Sequence, residues 1–146
     1  MTLHMIKLCV GADGIEDLAH WQQRRLEQIK GETGTARIFH STRMVPKRQD
    51  QLLDGGSLYW VIKGVVQVRQ KIVAFGEGHK QDGTPCCLVY LDPKLVAVRP
   101  TPRRAFQGWR YLAPADAPPD LDVRAAQNLA EMPPKMRKEL AELGLL

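Results

Sequence analysis

The chain has 146 residues, of which 44% are hydrophobic and 25% charged, and this composition excludes a disordered protein. The length fits a single domain over residues 1–146, and no apolar run approaches the roughly 18 residues that a membrane-spanning helix needs. The formal net charge is +5, but residues 33–115 alone hold thirteen basic and five acidic residues, which favours an anionic partner.

The N-terminal segment predicts a strand over residues 2–10, with Lys7 inside an otherwise apolar run. This run lacks the continuous apolar centre of a signal peptide, so we expect a cytoplasmic protein that does not enter membranes. A helix is predicted over residues 15–30, because its apolar residues recur on one face, Asp13 can cap its start and Gly31 can end it.

Two short elements come next. Residues 36–44 predict a second strand, and residues 46–53 predict a short helix, because the proline at its start suits the first helical turn. Gly55 or Gly56 then ends the helix and reverses the chain. The Gly-Gly-Ser sequence at this point has no following lysine or helix, so it is not a phosphate-binding P-loop.

The central segment of the chain predicts a β-hairpin. Residues 58–62 are apolar or aromatic throughout, which is typical of a strand that is buried on both faces. Residues 65–75 alternate apolar and polar side chains, which predicts a strand with one buried face. Lys63 and Gly64 have the length of a two-residue hairpin loop.

The second half of the chain predicts three further strands, over residues 86–91, 95–99 and 106–112, after a polar turn at 76–83. Prolines between the last two strands favour edge positions in the sheet. From about residue 115 the pattern changes to a helical tail, because apolar residues recur there at helical spacing. We expect this tail to cover the sheet or to contact a partner, such as a second copy of the chain.

These elements predict an α+β fold: a mixed, mainly antiparallel sheet or open barrel of six or seven strands, with three or four helices outside it. The three cysteines, Cys9, Cys86 and Cys87, suggest no disulfide framework, and we expect core or surface thiols. His79 with Cys86 and Cys87 is an incomplete ligand set for zinc, so we predict no metal and no cofactor.

Three distinctive segments resemble an uncharacterised bacterial family, domain of unknown function 1489. They are TRMVPKR at residues 42–48, DGGSLYWVIKGVVQVRQ at 54–70 and PRRAFQGWRYL at 102–112. The resemblance spans nearly the whole chain, and it implies no activity and no catalytic residue. In architecture, a short helix that leads through glycines into a strand of a small mixed sheet resembles the PUA and ASCH group of RNA-associated barrels. That second resemblance implies an open PUA-like barrel and an association with RNA.

Basic residues cluster in three windows without any acidic residue, over residues 33–49, 55–76 and 93–115, and aromatic residues lie among them. Cations that neutralise phosphates beside rings that stack on bases form a surface for single-stranded nucleic acid, so we predict an RNA-binding module. Alternatively, the cations form a solvated face and the aromatic rings belong to the core. The candidate RNA-binding residues are Arg43, Lys47, Arg48, Tyr59, Lys63, Arg69, Arg103, Arg104, Trp109 and Arg110.

Strand alternation places the aromatic residues on different faces. Tyr59 and Trp60 are successive residues of one strand and point to opposite sides of the sheet. Phe106 and Trp109 likewise fall on opposite faces if their strand is regular. We therefore expect one aromatic set to be core and the other to be able to bind, and the pattern alone does not assign them.

Two other functions are compatible with the sequence. His40 beside Asp50 or Asp54 is a candidate acid/base pair for an enzyme of RNA or nucleotide metabolism, although no spacing typical of catalysis accompanies it. A cleft that contains His40 and an aspartate would favour this enzyme. The helical tail can instead serve a protein-interaction regulator, whose contact residues would be Met136, Leu140 and Leu143.

Overall fold

The computed structural model describes residues 2–33, 38–121, 133, 135, 136 and 139. The helices of the predicted tail, with most of the predicted partner surface, fall on residues outside this description. The elements are β1 His4–Leu8, α1 Ile15–Thr33, β2 Ile38–Thr42, α2 Gln49–Leu53, β3 Ser57–Ile62, β4 Val65–His79, β5 Pro85–Leu91, β6 Val96–Pro102, β7 Trp109–Leu112 and a 3₁₀ turn at Pro114–Asp116.

The seven strands form one open sheet in the order β2-β5-β4-β3-β1-β7, and β6 joins it by pairing with β4. The pairing of β1 with β3 is parallel, and the other pairings are antiparallel. No ladder joins β2 to β7 in the described part of the chain, so the sheet does not close into a barrel. The predicted α+β class and the mixed, mainly antiparallel sheet are confirmed.

Strand β4 organises the sheet because it changes partners along its 15 residues. Its first half pairs with β3 on one side and β6 on the other, and its second half pairs with β5. A register shift between Ile72 and Ala74 marks the change. Such a bulge bends a strand, and here it lies at the point where β4 changes partners.

The predicted hairpin of β3 and β4 is confirmed. All six residues of β3 are buried, as its unbroken apolar pattern indicates. Lys63 and Gly64 both have positive φ values, 53° and 77°. Two such residues form the tight turn whose twist matches that of the flanking strands, so Lys63 takes a conformation that non-glycine residues rarely adopt.

Apolar side chains cover both faces of the sheet in two clusters. One face, which we call the helix-side face, carries Met5, Trp60 and Trp109 and packs against Leu18 of α1. The opposite face buries a smaller cluster that includes Tyr59. Tyr59 and Trp60 are therefore both core residues, and the expectation that one of these two faces is open to a ligand does not hold for this strand.

Some predicted boundaries are wrong. Strand β4 continues through residues 76–79, which the sequence predicted as turn. A Cβ atom at residue 76 or 78 would lie 3.0 Å from the side chain of Tyr90 or Leu88 on β5, so glycine at these positions leaves room for those side chains. Helix α1 likewise continues past Gly31 to residue 33, since glycine lowers helix stability without forbidding the helix.

The prolines that were expected to separate two strands belong to β6 itself. Pro100 and Pro102 lie within this strand, which forms a ladder with β4 and, on its other side, an isolated bridge between Val98 and Asp120. An edge strand tolerates proline because half of its backbone N–H groups have no ladder partner. Helix α2 begins at Gln49 and is thus shorter than predicted, and Pro46 precedes it in a buried loop position.

Cys9, Cys86 and Cys87 are buried and free of disulfides. Within the described ranges, no group of three or more His, Cys, Asp or Glu side chains is arranged to hold a metal ion. The same part of the chain contains no helix that is long and apolar enough to cross a membrane.

Candidate functional site

A row of three side chains crosses the helix-side face where β1 lies between β3 and β7. Lys7 of β1 is directly opposite Trp60 of β3 and Trp109 of β7. Residues that pair across strands project from the same face, so the lysine stands between two buried indoles. Among the described residues, its ammonium group has no hydrogen bond or ion pair. Burial lowers the pKa of Lys7, because the charged form loses hydration.

Lys7 lies in a cleft of about 480 Å³ between the end of β2 and the start of β7, which we call the basic cleft. Three more basic residues line it, namely Arg43, Lys80 and Arg110, together with Thr42, whose buried hydroxyl donates to the backbone oxygen of Met44 at 3.1 Å. No carboxylate of the described residues contributes to its lining. Lys7 is half-buried, whereas the other three cations are exposed, so Lys7 forms the deeper part of the cleft.

Hydrogen bonds between distant segments create this cleft. Trp109 Nε1 donates to the backbone oxygen of Met44 at 3.0 Å. The hydroxyl oxygen of Tyr111 accepts from the backbone N–H groups of Lys47 and Arg48, at 3.0 and 3.2 Å. These bonds attach the loop after β2 to strand β7, which places Arg43 beside the cleft.

Arg110 and Lys80 line the cleft from strand β7 and from the turn between β4 and β5. Arg110 pairs with Ile6, so its side chain projects from the face opposite Lys7, and its guanidinium group lies 5.6 Å from the centre of the Phe106 ring. Arg110 Nη1 donates to the backbone oxygens of Gln107 and Trp109, at 2.6 and 3.0 Å, which holds the guanidinium group beside the start of β7. Lys80 lies in the turn between β4 and β5. That turn adjoins the end of β2 because Thr42 pairs with a residue near the start of β5.

A second, smaller cavity of about 100 Å³ lies between α1 and the helix-side face, and His40 lines it. The His40 ring packs edge-to-face on Trp60 at 5.1 Å. Burial lowers the pKa of His40 to about 4, and the positive charges of Lys7 and Arg25 act in the same direction. The imidazole is therefore neutral near pH 7.

The carboxylates that were predicted to accompany His40 are not part of this cavity. Neither Asp50 nor Asp54 lines it, and its charged side chain is that of Arg25. The acid/base pair suggested by the sequence therefore has no geometric support here.

A buried amide network fixes the ring of Trp60. Gln70 is fully buried, and its Oε1 accepts from Trp60 Nε1 at 2.9 Å and from Gln22 Nε2 at 2.7 Å. Gln70 Nε2 donates to Gln22 Oε1 and to the backbone oxygen of Asp92, at 2.7 and 3.1 Å. The polar atoms of this glutamine are thus satisfied, and the amide links α1 to the row that contains Lys7.

Comparison with protein families matches residues 5–146 to the family described as Protein of unknown function (DUF1489). The chain belongs to this family. Comparisons with curated proteins and with solved structures find no significant match. The family description assigns no activity, so the functional argument rests on the geometry of the chain itself.

The structure brings part of the predicted RNA-binding set together. Arg43, Trp109 and Arg110 line the basic cleft, and Lys47 and Arg48 follow in the attached loop. Trp109 is only 5% exposed, so its ring offers no open face to a base in this conformation.

The other predicted residues lie elsewhere. Lys63 forms an ion pair with Asp13 at 2.9 Å and lines a separate depression with Arg103. Arg69 forms an ion pair with Asp120 at 2.7 Å. The last two residues line neither the basic cleft nor the separate depression. Tyr59 is buried in the core, and Arg104 is exposed.

Sequence reasoning missed Lys7 and Lys80. Lys7 had a signal, because it is the one fully charged side chain in the apolar run of residues 3–10 and shares the buried face with Met5. Such a cation on a buried face is a candidate for function. Lys80 carries no comparable signal, since a lysine in a polar turn is ordinary.

Proposed function

We propose that this protein binds RNA and that the basic cleft is its phosphate-binding site. The observation that carries the proposal is a single cleft that four basic residues line, with no carboxylate among its described lining residues. These cations come from four separate segments of the chain. An arrangement that excludes acidic groups creates a local positive potential, which attracts phosphate groups.

The environment of Lys7 supports a bound anion in particular. An exposed lysine needs no partner, because water solvates its charge. Lys7 is half-buried between Trp60 and Trp109 and has no anionic partner among the described residues. A phosphate oxygen at this position would compensate the ammonium group through a charge-assisted hydrogen bond.

Cations outside the cleft favour a long polyanion over a small isolated anion. The two segments that are joined by the Trp109 and Tyr111 hydrogen bonds both carry further exposed cations. An RNA backbone that leaves the cleft can therefore contact more positive charge on either side. Outside the cleft, the exposed cations of these two segments are Lys47 and Arg48 in the loop after β2, and Arg103 and Arg104 in the loop before β7, of which Arg103 also lines the separate depression with Lys63.

The burial of the aromatic rings indicates which contacts dominate RNA binding. Since Tyr59 and Trp109 are core residues, binding relies on phosphate contacts more than on base stacking. Phosphate contacts position a nucleic acid without reading its sequence, and their strength falls steeply with salt. We therefore propose strongly salt-dependent binding with little sequence preference.

Fluorescence anisotropy with a short single-stranded RNA, titrated from roughly 50 to 200 mM salt, tests the proposal. Lys7→Gln and Arg43→Gln should each weaken binding about tenfold, the effect of one charge-assisted hydrogen bond. Each should also lower the slope of log affinity against log salt by about 0.7. The matched control is Lys94→Gln, which removes an exposed lysine that does not line the cleft.

The control should retain affinity within about threefold, because screening by salt weakens the influence of a distant charge. Wild-type protein that binds no RNA at the lowest salt concentration refutes the proposed function. Equal losses for the cleft variants and for Lys94→Gln refute the assignment of the cleft, since the effect would then reflect net charge alone.

A further inference from the structure

The burial of Lys7 in the basic cleft restricts which part of an RNA can reach its ammonium group. The hydrogen bond from Trp109 to Met44 and the two bonds to Tyr111 connect the loop after β2 to β7. This connection bridges the gap between the two ends of the sheet. Lys7 is half-buried beside this connection, whereas the other basic residues of the lining are exposed, so the end of a chain can reach Lys7 with less of the RNA buried than an internal segment would need.

The volume of the cleft suits a single nucleotide or the end of an RNA chain. Its volume of about 480 Å³ lies in the range of small-ligand sites, roughly 300–1,000 Å³. A nucleotide fits such a volume. The exposed cations at the mouth are placed to contact the adjoining part of the ligand, whereas half-buried Lys7 is placed to contact its innermost part.

The charge of the cleft favours a doubly charged group at the innermost position. An internal phosphodiester carries one negative charge, whereas a phosphate monoester carries about 1.5 to 2 at pH 7 and has three strong acceptor oxygens. Four basic lining residues without a lining carboxylate in the described chain match the second group better. Lys7, which forms no ion pair with any described residue, would meet the greatest negative charge where water is scarcest.

We propose that the basic cleft recognises a terminal phosphate monoester, with Lys7 as the residue that contacts the phosphate. The inference rests on the proposed function, since it specifies the ligand of the same cleft. The shared chemistry is a nucleoside phosphate, which can be the phosphorylated end of an RNA or a free mononucleotide. An internal segment of an RNA chain lacks this group.

The test compares one labelled RNA in three forms: with a 5′-phosphate, with a 3′-phosphate, and with hydroxyl groups at both ends. Binding of a phosphorylated form should be about tenfold tighter than binding of the hydroxyl form, because one end gains a charge-assisted contact. Adenosine monophosphate should displace the RNA at lower concentration than adenosine does. The preference for phosphate should disappear in Lys7→Met and persist in Lys94→Gln.

Lys7→Met removes a half-buried charge and keeps an unbranched side chain, so we expect this variant to fold, which a thermal melt checks. Arg43→Gln, which alters an exposed side chain, gives a second measurement of the same preference. If all three RNA forms bind equally, the terminal-phosphate inference is refuted while RNA binding stands.

If no RNA binds but adenosine monophosphate binds and adenosine does not, RNA binding is refuted and the ligand is a free nucleotide. If neither RNA nor mononucleotide binds, both proposals are refuted. A phosphate preference that Lys7→Met and Arg43→Gln leave unchanged refutes the placement of the phosphate in this cleft.

Discussion

Replacing Trp109 separates a core ring from a base-stacking ring. Trp109 is 5% exposed, belongs to the core cluster on the helix-side face and donates a hydrogen bond of 3.0 Å to the backbone oxygen of Met44. Trp109→Ala should therefore lower the free energy of unfolding by about 3–5 kcal/mol, as other large-to-small core changes do. Trp109→Phe keeps an aromatic ring but loses the hydrogen bond and part of the buried area, so we expect a loss of about 1–2 kcal/mol.

Urea denaturation followed by far-ultraviolet circular dichroism measures these losses without depending on the tryptophan that is removed. With an m-value of about 2 kcal/mol/M, Trp109→Ala should shift the midpoint by roughly 2 M. Trp21→Ala is the matched control, because Trp21 is 39% exposed and its loss should cost far less. A Trp109→Ala protein that unfolds within about 1 kcal/mol of wild type but loses RNA affinity would refute the structural role and favour stacking.

Two further perturbations test other parts of the fold, namely the burial of His40 and the close backbone approach at Gly56. The folded-state pKa of His40, about 4, lies below the ordinary value near 6.5, so the unfolded chain binds a proton first as the pH falls. Stability should therefore decrease between about pH 6.5 and 4, by about 2–3 kcal/mol at pH 4.5, and His40→Gln should remove this part of the loss in urea titrations at several pH values. In Gly56→Ala the new Cβ would collide with the backbone oxygens of Leu3 and Leu52, so a thermal melt should show a loss of at least about 2 kcal/mol.

Each of these changes has a control in the same chain. His79→Gln removes an exposed imidazole that does not line the His40 cavity, and it is the matched control for His40→Gln. An equal effect of the two histidine variants contradicts the assignment to His40. Gly31→Ala adds a Cβ in open space within α1 and should stabilise the protein by about 0.5–1 kcal/mol. If Gly56→Ala melts no lower than Gly31→Ala, the close approach at Gly56 is wrong.

Local patterns in the sequence determined the elements of the fold and its class. The unbroken apolar run of β3 predicted a strand buried on both faces, and the two-residue loop at Lys63 predicted the hairpin. These features depend on neighbouring residues, whose spacing reflects the backbone period directly. The sequence alone also identified the windows that contain basic but no acidic residues, to which Arg43 and Arg110 belong.

Only the tertiary structure determined which residues cover each face of the sheet. Alternation showed that Tyr59 and Trp60 point to opposite sides of the sheet. Both sides are covered, because Trp60 belongs to the core cluster on the helix-side face and Tyr59 belongs to the cluster on the opposite face. The cleft likewise depends on pairings between Lys7 and Trp109 and between Trp109 and Met44, which are far apart in the chain. Periodicity encodes the face on which a side chain lies, whereas burial and the neighbours of a charge depend on long-range pairings that no local window contains.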